Sequence, residues 1–177
     1  MEIGVGLLST RPIHELALDE VAAEAGISRS LLFHYFPTKS DYYVAVVRSA
    51  AERLLRPPRE PAAATPQGRV RAMVVGYLRL VSRSRDAYVA LVRGAAGADP
   101  RVLAVLDELR DALVRRWLVA TEQPDSSALT RLLLRGWLAG LEEVALAWDP
   151  DEVDLDTLAD ALVRSFDARF PALPAPA

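Results

Sequence analysis

The sequence predicts an all-α protein in two helical parts, and three observations carry that prediction. Apolar residues recur at intervals of three and four along almost the whole chain and nowhere alternate with period two. A proline cluster, Arg56-Pro57-Pro58-Arg59-Glu60-Pro61-Ala62-Ala63-Ala64-Thr65-Pro66, interrupts the pattern, because proline lacks a donor and clashes with the preceding turn. Of the 177 residues 51% are hydrophobic and none is cysteine, which allows a real core without disulfides. The break divides the chain into residues 1–56 and 57–177, and the shorter N-terminal part, marginal alone, is expected to lean on the longer one.

In chain order, Leu18, Val21, Ala22 and Ala25 form the inner stripe of a short helix, small where another helix must approach. Gly26 stands where the chain needs positive φ to leave that helix, Ile27 is expected to turn inward, and Ser28 can cap a second helix. On that helix Leu32 and Phe36 point to the core, which leaves Arg29, Ser30, Phe33 and His34 on the outer face. Thr38 and Asp41 have capping-box spacing and start a helix with Tyr43, Val46, Val47, Ala50 and Leu54 inward.

Beyond the prolines, Val70, Val74, Tyr77 and Val81 mark one helix. Tyr88, Leu91, Val92 and Ala95 mark a short one ending near Gly94 or Gly97. Asp99-Pro100 reads as an N-cap followed by proline at the first helical position, with Val102, Leu106, Leu109, Leu113 and Trp117 on the next stripe. That helix stops before Gln123-Pro124. Asp125 or Ser126 can cap a helix running to about Trp148, and Asp154 a last one carrying Leu155, Leu158, Leu162, Phe166 and Phe170 in phase. The Pro-Ala tail from Pro171 is expected to fray.

Composition excludes several classes. Without cysteine, and with only His14 and His34, a zinc ribbon, thiol chemistry or a multi-histidine metal site is not available, so no metal and no cofactor are expected. Glu142 and Glu143 diverge on a helix, and the acids from Asp149 to Asp156 lack the glycine and terminal glutamate of a calcium loop. No matched acid and base remains for an enzyme, and no catalytic residue is assigned. The start Met1-Glu2-Ile3-Gly4-Val5-Gly6 has no cationic region, and no apolar run approaches the roughly 20 residues a bilayer needs, so the cytoplasm is expected and a membrane is not.

The formal net charge of -3 speaks against a nucleic-acid partner only as a whole-chain average. Residues 1 to 56 hold seven acidic and six basic side chains, yet the sixteen residues between Glu24 and Asp41 contain no acid and carry Arg29, His34 and Lys39. Helix, glycine turn and helix at this spacing suit a helix-turn-helix whose second helix enters the major groove. The free N–H groups at the start of the following helix, together with Lys39, suit a phosphate.

With Val21-Ala22, Ala25-Gly26-Ile27-Ser28, Leu32, Tyr35-Phe36 and Thr38-Lys39 in place, the sequence resembles the TetR family of bacterial transcriptional regulators over about residues 3 to 55. The remainder resembles the family in architecture. The resemblance implies a helix-turn-helix DNA-binding domain at 1–56 and a larger helical ligand-binding and dimerisation domain at 57–177. It implies a homodimer on a palindromic operator, released by a small molecule, and repression before activation. Carried over position by position, Arg29, Ser30, Leu31 and His34 are expected at base edges, and Ser28, Tyr35, Thr38 and Lys39 at phosphates.

Two departures stand out. Ser30-Leu31-Leu32-Phe33 replaces the family's Gly-Thr-Leu-Tyr, so Phe33 shares the DNA surface without a phosphate-binding hydroxyl, and Tyr35 or Thr38 is the neighbouring hydroxyl that can replace it. Met1 falls about one turn inside the family's first helix, which Gly4 and Gly6 weaken, with His14 in the turn after it. Either the natural start lies upstream, or a basic arm is missing and DNA affinity is lower and less salt-dependent. These departures motivate an alternative reading, a dimeric ligand-binding or interaction module without specific DNA binding.

For the C-terminal domain, Met73, Tyr77, Tyr88, Trp117 and Trp137 are large side chains that suit an apolar or aromatic ligand, with core filling as the competing reading. Arg93 can face a ligand carboxylate or cap a helix end. The segment from Ala128 to Trp148 is apolar nearly all round, as a helix buried on more than one side is. Leu133, Trp137, Leu141, Val144 and Trp148, beside Leu158, Leu162 and Phe166 of the last helix, are therefore expected at a dimer interface.

Overall fold

The structure, a computed structural model, describes residues 17–55, 65–83, 85–92 and 99–170, and within these no side chain of Leu54, Ala87, Ala90, Leu91 or Val92. The expected first helix, His14, most of the proline break, Arg93, Ala95, the glycine stop and the tail from Pro171 lie outside the described residues. Among those residues the chain is all helix with no strand: α1 (Leu18–Glu24), α2 (Arg29–Tyr35), α3 (Lys39–Leu54), α4 (Pro66–Arg83), α5 (Arg85–Val92), α6 (Pro100–Ala120), α7 (Ala128–Ala147) and α8 (Leu155–Arg169).

The helices gather into two compact units, neither of which is one continuous stretch of sequence. The first joins α1, α2 and α3 with α5 and with α6 as far as Asp111; the second joins α4 with the rest of α6, α7 and α8. The expected partition at 56/57 follows the prolines, whereas the chain re-enters the first unit with α5 and leaves it inside α6.

In the first unit, Leu18, Val21 and Ala22 of α1 and Leu32 of α2 are buried with Tyr42, Tyr43, Val46, Val47 and Ala51 of α3. Tyr42 extends the expected stripe, and Phe36 packs edge-on against it at 5.3 Å. Burial pushes the Tyr43 phenol up to about 12, so it is a neutral core group. In the same unit α6 contributes Val102, Val105, Leu106 and Leu109 to the interior.

In the second unit α4 packs against α8 and α7. Its buried stripe is Val70, Val74, Leu78 and Val81. Tyr77 is half-buried, one residue out of phase with the expectation, because a stripe from Val74 to Val81 is filled at i+4 by Leu78. Pro66 opens α4 behind Thr65, whose hydroxyl accepts the Gly68 N–H at 3.1 Å. On α6 Leu113 is half-buried while Val114, Trp117 and Leu118 are buried.

The cap of α7 is Ser127, whose Oγ accepts the Thr130 N–H at 3.1 Å, and neither Asp125 nor Ser126 as expected. Ser126 instead spends its hydroxyl on the Gln123 carbonyl at 2.5 Å. Asp154 caps α8 as expected, accepting from the Thr157 N–H at 2.9 Å. Arg71 ties α4 to α8 through Asp156 at 2.7 Å and Asp160 at 2.9 Å.

Candidate nucleic-acid interface

The turn between α1 and α2 is built by local chemistry. Gly26 takes φ +65°, where an L side chain is strained, and its N–H bonds the Ala23 carbonyl at 3.1 Å. The Ile27 N–H bonds the Ala22 carbonyl at 3.0 Å, which completes a Schellman ending. Ile27 was expected inward, but with its backbone held in this ending its side chain stays more than a third exposed at the rim of the turn. Ser28, in extended conformation, then caps α2 by accepting the Leu31 N–H at 3.2 Å.

This geometry turns one face of α2 to solvent. Ser28, Arg29, Ser30, Leu31, His34 and Tyr35 are all exposed and Phe33 is half-buried. Tyr35, at 68% exposure, belongs to the surface rather than the core. Its ring meets His34 edge-on at 5.4 Å. Thr38 begins α3 with a full capping box: its Oγ1 accepts the Asp41 N–H at 3.1 Å, and the Asp41 carboxylate accepts the Thr38 N–H at 3.1 Å. Lys39 follows, half-buried in the first turn of α3. The predicted base-facing and phosphate-facing residues are thus carried by α2 and the start of α3 in one unit.

Sequence reasoning missed what holds α3. Asp99 caps α6, accepting the Arg101 N–H at 2.9 Å, and the same carboxylate accepts the Ser40 hydroxyl. Arg101 reaches across to Asp41 at 2.6 Å and to the Ser40 Oγ at 2.9 Å, and returns to Asp99 at 2.8 Å. Seven residues further along each helix, Arg48 pairs with Glu108 at 3.1 Å. Equal spacing on both helices means that α3 and α6 run parallel here over two turns. The partners lie about 60 positions apart in sequence, so no local signal could have paired them.

The hydrogen bonds from Arg101 and then Ser40 hold the Asp99 carboxyl well below the usual carboxylate range. Thr38 and then Arg101 lower Asp41 likewise. A depressed carboxyl contributes stability above its unfolded value near ~3.9 and loses it as pH falls through the folded value. Arg101→Ala is therefore expected to raise the Asp99 titration toward the ordinary range. The melting temperature should fall at pH 7, by a deficit that shrinks below about pH 4. Carboxyl NMR titration with melting curves from pH 2 to 7 checks both, and a deficit constant with pH is the contrary result.

Of the ligand candidates, Trp117 and Trp137 meet at 4.9 Å between ring centroids, and Phe166 joins them at 5.4 and 5.1 Å. Met73 and Tyr77 are half-buried on α4 in the same unit, whereas Tyr88 is buried in the first unit. The Trp137 indole N–H donates to the Ser165 Oγ at 3.1 Å. No charged side chain is buried among the described residues, so the interior is apolar.

The expected interface residues divide. Trp137, Leu141 and Phe166 are buried within a single chain, Val144, Leu158 and Leu162 are half-buried, and the Trp148 indole N–H is spent on the Val153 carbonyl at 2.7 Å. Leu133 is 50% exposed beside Leu129 at 65% and Leu132 at 67%. Among the described residues no group of three or more histidine, aspartate or glutamate residues can hold a metal ion, and no helix is long and apolar enough to cross a membrane.

Comparison with known proteins places these features beside others. A family model described as "Bacterial regulatory proteins, tetR family" matches residues 2–46, and one described as "Tetracyclin repressor-like, C-terminal domain" matches residues 66–168. The HTH-type transcriptional activator FasR of Mycolicibacterium smegmatis is 26% identical over 160 residues, which are 87% of this chain and 73% of FasR. A tetR-family transcriptional regulator from Streptomyces coelicolor is 32% identical, with a TM-score of 0.78 over 94% of this chain and 77% of its own. A TetR-like regulator from Rhodococcus sp. RHA1, 24% identical, shares the fold with a TM-score of 0.68 over 96% of this chain and 93% of its own.

Proposed function

This chain belongs to the TetR family of transcriptional regulators, and from that premise we propose that it binds a palindromic operator as a homodimer and is released by a small apolar or aromatic ligand. The observation that carries the DNA-reading assignment is the solvent-facing side of α2. It sets Arg29, Ser30, Leu31 and His34 together, within a sixteen-residue stretch without an acid that also includes Lys39. A helix in the major groove reads sequence through such side chains, while the start of the next helix meets phosphates. Arg29 suits the paired acceptors of guanine and Leu31 a thymine methyl. Ser28, Tyr35, Thr38 and Lys39 are assigned to phosphates, with Phe33 on the same surface.

Dimerisation is supported by Leu129, Leu132 and Leu133, three neighbouring exposed leucines on α7 of a kind that a monomer seldom leaves in water. The ligand assignment is supported by the apolar aromatic cluster of Trp117, Trp137 and Phe166. In that case α6 carries the signal, since one helix holds Trp117 in the second unit and the Asp99–Arg101 tie to α3 in the first. A ligand that binds one conformation better shifts the population of the other.

Repression is proposed, by occupation of the operator. The name of FasR, an activator, favours the opposite sign as a second reading. A reporter driven by the bound promoter separates the two by the direction in which deletion of the protein moves expression.

The decisive experiment selects bound duplexes from a random library at several salt concentrations. A twofold-symmetric site is expected. Arg29→Ala should then relax one base position in each half-site by about 1–3 kcal/mol, while Lys39→Ala weakens all sequences alike and reduces the salt slope by about 1. Recovery of no site would favour the dimeric module without specific DNA binding.

A further inference from the structure

We propose that Asp19 and Phe33 are specificity-determining positioning residues that hold the Arg29 guanidinium for a guanine edge and away from phosphates. The proposal rests on the assignment of α2 as the DNA-reading helix. Arg29 is the first residue of α2, at a helix end whose dipole disfavours a cation, and its long side chain has many rotamers to choose from. Two contacts narrow that choice. The Asp19 Oδ1, in the first turn of α1, lies 3.0 Å from the Arg29 Nε. The Phe33 ring, one helical turn further along α2, lies 5.2 Å from the Arg29 Cζ, within cation–π range.

The arrangement leaves a defined edge. The Asp19 carboxylate lies closest to the inner Nε, and among the described residues no hydrogen bond is made by the terminal nitrogens of Arg29. Those two nitrogens are the pair that can meet guanine O6 and N7 together. The pair itself is open to water, with Arg29 69% and Asp19 54% exposed, so it adds little to the stability of the free protein. Its effect arises on docking, when water leaves and the ion pair strengthens.

Charge points the same way. The Arg29–Asp19 pair as a whole carries no net charge to attract a phosphate, and the Asp19 carboxylate repels phosphates directly. What remains attractive to it is a pair of neutral acceptors in fixed geometry. Phe33, with no hydroxyl to offer the backbone of DNA, sets an aromatic ring within cation–π reach of the guanidinium. Asp19 thus lowers non-specific binding while it sharpens the reading of one base, and the sequence placed the two residues ten positions apart on different helices.

The test uses the full chain and the operator recovered by selection, the same operator changed at the guanine assigned to Arg29, and a random duplex. The parent is expected to discriminate the first two by about tenfold or more, and Arg29→Ala to abolish that discrimination. Asp19→Asn should reduce it to a few-fold while binding the random duplex a few-fold more tightly. Phe33→Leu should reduce it without the gain on random DNA. Asp19→Asn and Phe33→Leu proteins that keep the parent's discrimination overturn the proposal. So does an Asp19→Asn protein that tightens on all three duplexes alike, for Asp19 would then only compete with DNA. If Arg29→Ala keeps the discrimination, or no operator is recovered, the assignment of α2 has failed and this inference falls with it.

Discussion

Trp117→Ala is expected to destabilise the protein by about 3–5 kcal/mol, the usual cost of removing a buried aromatic side chain and leaving its cavity. Trp117 comes from α6, Trp137 from α7 and Phe166 from α8, and their rings meet within 5.4 Å of one another. Three helices therefore border the space that the indole would vacate, and none can close it without moving the other two. The Trp137–Ser165 hydrogen bond, together with the Ser165 hydroxyl donating to the Leu162 carbonyl at 2.8 Å, resists such movement. Urea unfolding checks the value through the midpoint at unchanged slope. A loss below about 1.5 kcal/mol would mean that the site collapses and that the cluster is loosely packed. Trp117→Phe, which keeps a ring against Trp137, should lose much less.

Leu132→Glu is expected to produce a monomer and to weaken operator binding by about 10²–10⁴-fold, the advantage that linking two half-site readers confers. Leu132 is 67% exposed in the single chain, with exposed Leu129 one turn before it and exposed Leu133 next to it. Nothing within the chain covers this patch among the described residues, so a charge there has little effect on the protomer's own packing. Opposed to the same residue across a twofold axis, the carboxylate would meet its own copy in an apolar contact. Sedimentation gives the mass, and titration of a full operator and of a single half-site separates lost avidity from lost reading. An unchanged dimer would move the interface elsewhere.

The parts of the fold legible in the sequence are those decided within a few residues. Ser28 caps α2, Thr38 and Asp41 form the box that starts α3, Asp154 caps α8, and Gly26 supplies the positive φ of the turn. Each depends on side chains within about four positions of the backbone groups they satisfy. The outward face of α2 was legible for the same reason, since Leu32 alone sets which side of a two-turn helix is inside. The cap of α7 was not: Asp125 or Ser126 was expected, but the Ser126 hydroxyl goes to the Gln123 carbonyl and Ser127 caps instead.

On α7 apolar residues surround the axis, so periodicity names no inner face. Leu134, Trp137, Leu141, Ala145 and Leu146 went inside, with Trp137 against Trp117 and Phe166 from other helices, while Leu129 and Leu132 were left out. The hold of Asp19 on Arg29 and the tie between Arg101 and Asp41 likewise join charges that are all ordinary surface residues when read singly. The sequence by itself determined the helices, the caps of α2, α3 and α8, the glycine turn and an acid-free stretch on a DNA-reading motif, because short-range geometry follows from neighbouring residues. Only the tertiary structure decided which side chains pair across 10 to 89 positions and which side of an apolar helix meets water, because those depend on where the helix axes lie in space.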